Sequence, residues 1–143
     1  MAKVGRPTGY SIELAREICV RLAHGEPLVR MCKEEKMPTV SSVYVWLTQH
    51  KEFADMYAKA REDQADTLAD EIIAIADESQ NDSYVDDNGK VKTDWEVVGR
   101  SKLRVDARKW VAAKLKPRKY GDRVDHAIEA NMTVTLAETD KAL

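Results

Sequence analysis

Cysteine, proline, glycine and aromatic residues are all scarce in this chain. Two cysteines, Cys19 and Cys32, stand among 143 residues. That is too few for a disulfide framework, and a reducing, intracellular setting is expected. Six glycines and four prolines leave long stretches uninterrupted, and an aromatic content of 6% with a single phenylalanine argues against an all-β core. No apolar run approaches the roughly 18–20 residues of a membrane span, so no membrane contact is expected. The opening Met1-Ala2-Lys3-Val4-Gly5-Arg6-Pro7 lacks the apolar stretch of a secretory signal. Catalytic signatures are missing too. There is no phosphate-cradling Gly-x-x-x-x-Gly-Lys-Ser/Thr loop and no nucleophile elbow. His24, His50 and His126 are scattered and form no ligand set with the cysteines. Asp82, Asp86, Asp87 and Asn88 precede Gly89 in the manner of a calcium loop. The spacing fails, because Tyr84 falls on the first ligand position and Trp95 where the bidentate glutamate belongs. No enzymatic activity, metal or cofactor is expected.

What the chain has is charge, at 34% of residues, with a net value of only −2. The small total hides segregation. Residues 62–96 carry twelve acidic against two basic side chains, and residues 97–123 carry ten basic against two acidic. Residues 1–51 are mildly basic, with eight against five. An acidic middle is thus set against a basic final helix, behind a weakly basic N-terminal module.

Helical periodicity dominates, and a mainly α fold is expected. Gly5, Pro7 and Gly9 make residues 1–10 a flexible arm. Ser11 caps a helix of about 12–24, which Gly25 stops. A short helix opens near Pro27 and ends around Glu35. The turn Lys36-Met37-Pro38 leads to a third helix, capped by Thr39 or Ser41 and running to about Gln49. Residues 51–79 contain no proline or glycine and read as one long helix. Tyr84-Val85 and Val91 flank Asn88-Gly89, the preferred pair for a tight hairpin turn, so a small β-hairpin is expected over 82–93. Asp94 caps a helix of about 95–116, ended by Pro117. Met132-Thr133-Val134-Thr135-Leu136 alternates like a short C-terminal β segment.

Three short helices with a turn between the second and third describe a helix-turn-helix over residues 11–52, in which one helix is presented to the major groove. Val43, Trp46 and Leu47 are expected inside. Thr39, Ser41, Ser42, Tyr44 and Gln49 are candidates for reading base edges. Arg30, Lys33, Lys36 and Lys51 are placed to hold phosphates, and Lys3 and Arg6 of the arm to reach the minor groove. Residues 53–121 are expected to form a helical hairpin for oligomerisation. Its contacts are drawn from Phe53, Tyr57, Leu68, Ile72 and Ile75 on the long helix and Leu103 and Trp110 on the last. The stripe Arg100, Arg104, Arg108 is expected to meet Asp63, Asp66, Asp70 and Asp77 across the seam or between subunits.

These residues resemble the small terminase subunit of short-tailed double-stranded-DNA phages. Three blocks carry the likeness: Gly5-Arg6-Pro7 with Tyr10; Met37-Pro38 through Ser41, Ser42, Val43, Tyr44, Trp46, Leu47, His50 and Phe53 to Tyr57, Ala58, Ala60 and Arg61; and Leu103-Arg104-Val105-Asp106-Ala107-Arg108-Lys109-Trp110, Lys114 and Pro117-Arg118-Lys119-Tyr120-Gly121-Asp122. The resemblance implies a non-catalytic recognition and regulatory subunit acting in the host cytoplasm. It implies a homo-oligomeric ring, an octamer or nonamer, that binds the packaging-initiation site of viral DNA. It also implies that residues 122–143 contact the large subunit, which holds the ATPase and nuclease. Val40 and Val45 stand where relatives carry Lys or Arg, which moves the electrostatic load to the arm and the helix rims. The alternative reading is a dimeric helix-turn-helix transcription regulator.

Overall fold

The computed structural model describes residues 9–122. It is mainly α, with one two-stranded antiparallel sheet. Helix α1 spans Ile12–Ala23, α2 Leu28–Met31, α3 Val40–Gln49 and α4 Lys51–Asp77. Strands β1, Ser83–Val85, and β2, Val91–Thr93, follow, then α5, Trp95–Leu115, and α6, Pro117–Tyr120. The expected C-terminal β segment lies outside the described residues.

Local chemistry sets the boundaries. The Ser11 hydroxyl accepts from Leu14 N at 3.2 Å at the start of α1. At its end Gly25 takes φ +93°, with Gly25 N donating to Leu22 O and Glu26 N to Arg21 O. This is a Schellman stop, which needs a residue at ease in the left-handed region. Helix α2 is a single turn and not the run to Glu35 that its composition suggests. After Met31 the backbone continues in three-residue turns, Lys33 N to Arg30 O, Glu34 N to Met31 O and Met37 N to Glu34 O. These turns bring Met37 into the core, 1% exposed. Asp94 caps α5 by accepting from Glu96 N and Val97 N. Pro117 ends α5 and also opens α6, at the first helical position where its missing N–H costs nothing.

The hairpin forms, but not through a two-residue Asn-Gly turn. Only Gly89 has positive φ, +72°. The Asp86 carboxylate accepts from both Asn88 N and Lys90 N, and Gly89 N donates to Asp86 O, which fixes a longer loop from Asp86 to Lys90. Lys92 adds an ion pair to Asp86 at 3.0 Å.

The core sits in the N-terminal half. Ala15, Ile18, Cys19 and Leu22 of α1 close over Leu28, Met31, Cys32, Met37, Val43 and Trp46. The same core takes in Phe53 and Ala60 from α4. The head therefore extends past residue 52 well along α4, where the Thr67 hydroxyl donates to Ala23 O at 2.6 Å. The rest of α4 packs against α5 to form a helical stem, from which the hairpin projects.

Candidate nucleic-acid interface

The head holds α3 on an apolar base. Val43 is fully buried and Trp46 nearly so, with Leu47 packed against the same core. Ser41, Tyr44, Val45, Thr48 and Gln49 share the opposite, exposed face. The N-terminus is locked by Thr39, whose hydroxyl accepts from Ser42 N at 3.1 Å and lies 2.8 Å from the Ser42 hydroxyl. Thr39 and Ser42 thus work as a cap beside the outward face. Thr48 turns its hydroxyl back onto Val45 O at 2.7 Å. Tyr44 and Gln49 are left as the long polar side chains on that face.

Arg30, Lys33 and Lys36 are exposed around the rim. Lys51 is exposed as well, but its ammonium is engaged with Asp55 at 2.8 Å, and this pairing raises its pKa. Arg21, next to the rim, is committed to structure. It is bidentate to Glu26, at 2.7 Å on both contacts, and reaches Glu34 with Nη1 at 3.0 Å. The carboxylates of Glu34 and Glu26 hold its pKa far above its ordinary value. This cluster ties α1 to the turns before α3, and no periodic pattern announces it. Lys3 and Arg6 lie outside the described residues.

Sequence reasoning also missed the root of the arm. Tyr10 stacks on His50 at 3.6 Å and 7°, sets its edge against Trp46 at 5.6 Å and tilts over Phe53 at 6.1 Å. The chain enters the head where α3 ends and α4 begins. Tyr10 is forty residues from His50 in sequence, so no local spacing could have shown the stack.

The proposed oligomerisation residues divide. Phe53 is 0% exposed in the head core, and Leu68 and Ile75 are buried within the chain. In the single chain all three are taken up by internal packing. Their helical periodicity marks burial and does not say against what. Tyr57 packs on the head core and receives a hydrogen bond from Arg61 at 2.8 Å. Ile72 is half-buried. Leu103 and Trp110, each 64% exposed, do face outward.

The charge stripes meet in part. Arg108 Nε donates to Glu71 at 2.6 Å. Asp66 receives Lys116 Nζ at 2.9 Å, Lys119 Nζ at 2.9 Å and Tyr120 Oη at 2.6 Å. Led by the Tyr120 hydroxyl, these donors hold the Asp66 carboxyl well below the usual carboxylate range. Asp63 pairs with Lys59 along its own helix. Arg100, Arg104, Asp70 and Asp77 make no ion pair among the described residues.

Among the described residues no cluster of His, Cys, Asp and Glu is placed to hold a metal. No described helix is long and apolar enough to cross a membrane.

A tri-helical head whose third helix is braced from below, carried on a helical-hairpin stem, defines a helix-turn-helix protein with an extended helical base. The profile of the family described as "Bacteriophage Sf6, terminase small subunit-like" matches residues 10–127. The chain belongs to this family of phage terminase small subunits. Crystal structures of the terminase small subunit gp1 of the bacterial virus Sf6 share the fold. A variant with one aspartate replaced by arginine is 40% identical over 94% of this chain and 93% of its own, with a TM-score of 0.63. Variants with a lysine replaced by glutamate and an arginine by alanine are each 36% identical over 95% of this chain and 100% of theirs, with TM-scores of 0.66. No curated protein matches the chain.

Proposed function

We propose that this terminase small subunit recognises the packaging-initiation site on viral double-stranded DNA and delivers that DNA to the ATPase and nuclease large subunit. It acts in the host cytoplasm as a regulatory ring of eight or nine copies, without turnover of its own. The observation that carries the reading is the outward face of α3. A capped helix with exposed Ser41, Tyr44 and Gln49 is braced on Val43 and Trp46, within a rim of Arg30, Lys33 and Lys36. A helix of this width fits the major groove, where hydroxyl and amide groups meet base edges and lysines meet phosphates. Few cations surround the helix, so each head binds modestly, and repetition in a ring multiplies the affinity.

Gel shifts in a salt series test this. A fragment from the phage packaging region is expected to bind more tightly than an unrelated one, with affinity falling linearly in log salt. Intact oligomers that bind neither fragment at any salt concentration refute DNA recognition. Native mass spectrometry tests the assembly, and a dimer would favour a two-fold transcription regulator with paired half-sites.

A further inference from the structure

The stem is two helices thick, so α4 and α5 each turn one face toward the other and one face away. The two outward faces differ in chemistry. From Glu62 to Asp77, α4 carries six acidic residues and no lysine or arginine. Asp63, Asp66 and Glu71 are satisfied within the chain. Asp70 and Asp77 make no ion pair among the described residues, and between them on the outward face Ile73 is 65% exposed. On α5 the outward face carries Leu103 and Trp110, flanked by exposed Lys102 and Lys109. A single acidic residue, Asp106, lies among them.

We infer that the α5 outer face of one subunit docks on the α4 outer face of the next copy of this chain, with Leu103 and Trp110 meeting Ile73, and Lys102 and Lys109 meeting Asp70 and Asp77. The inference rests on the ring proposed above and names its seam. Either face against itself would set like charges opposite one another, which is unfavourable once water is excluded. Basic against acidic is the favourable pairing, and it is heterologous: each subunit uses one face as donor and the other as acceptor. A heterologous contact repeats from copy to copy around an axis instead of ending at a dimer, and it closes into a ring where its rotation divides a full turn. An exposed apolar centre with a charged rim is also the ordinary anatomy of an interface between folded partners.

The test is a charge swap in the full chain, read by sedimentation velocity and native mass spectrometry without DNA. One variant carries Asp70→Lys and Asp77→Lys, the other Lys102→Glu and Lys109→Glu. Each alone is expected to raise the concentration for half-assembly by about tenfold or more. All four positions are exposed, so helical circular dichroism is expected to stay at the wild-type level. Mixing the two variants is expected to restore assembly, because a seam between unlike variants joins opposite charges; the product alternates the two species, with every seam satisfied in an even-numbered ring and one left unsatisfied in a ring of nine. The quadruple variant is expected to assemble by itself. Wild-type assembly that is indifferent to either swap, or two variants that fail to rescue each other, overturns this seam and leaves the DNA reading standing. A wild-type chain that stays monomeric defeats the seam and the ring together.

Discussion

Tyr10 lies flat on His50, 3.6 Å between ring centroids and 7° between planes. The contact joins the residue before α1 to the junction of α3 and α4. It fixes where the N-terminal arm leaves the head, beside the end of the helix proposed to read DNA.

Replacing Tyr10 with alanine removes this stack and the edge contact to Trp46. A loss of about 2 kcal/mol is expected, the order of an aromatic side chain that is only half-buried. Tyr10→Phe keeps both ring contacts and is expected to cost well under half of that. Urea unfolding followed by tryptophan fluorescence measures the difference.

On α3, Tyr44→Ala is expected to weaken binding to the packaging fragment by about 1–3 kcal/mol while leaving thermal stability unchanged, because the side chain is exposed and supports nothing beneath it. Lys33→Ala and Lys36→Ala are expected to act differently. Each lowers affinity for every sequence alike and reduces the salt slope by about one. A gel-shift salt series on two fragments separates the two kinds of effect.

Phe53→Ala and Trp110→Ala make a contrasting pair. Phe53 is fully enclosed in the head, so its truncation is expected to cost about 3–5 kcal/mol of folding stability. Trp110 is 64% exposed, and its truncation is expected to leave the melting temperature of dilute protein within error while weakening self-association. Calorimetry and sedimentation on the same samples report both.

The Asp66 attachment of α6 carries a definite pH dependence. Its carboxyl is held below its ordinary value by Tyr120, Lys116 and Lys119. The contribution to stability is therefore complete above the unfolded value of about 4 and is lost as pH falls below it. Stability is expected to be flat from this source between pH 5 and 8. Asp66→Asn should remove that part of the acid-side loss, as chemical denaturation at several pH values would record.

Much of the fold was legible because its signals are local. Ser11, Thr39 and Asp94 cap where their side chains and neighbours predict, and the absence of proline and glycine after His50 foretold α4. The hairpin was placed correctly, but its turn was not. Asn88-Gly89 suggested two positive φ values, while the Asp86 carboxylate, two residues earlier, gathers the backbone donors and selects another loop. The candidate interface was legible as a face of α3. The inner partners of α4 were not, since periodicity identifies that Phe53, Leu68 and Ile75 are buried without naming what buries them. Arg21 with Glu26 and Glu34, and Tyr10 with His50, depend on the fold bringing distant residues together.

Helix α4 begins inside the head and ends at the far end of the stem, 27 residues without a break. At ~1.5 Å per residue it is a strut of about 40 Å. A hinge between recognition and assembly is therefore missing where many modular proteins place a linker. In the proposed ring, every α3 would be locked to the geometry of the whole, and compliance would have to come from the DNA. Sequences that bend readily would then be favoured even at base pairs no side chain touches, so that site selection is partly a measurement of DNA stiffness.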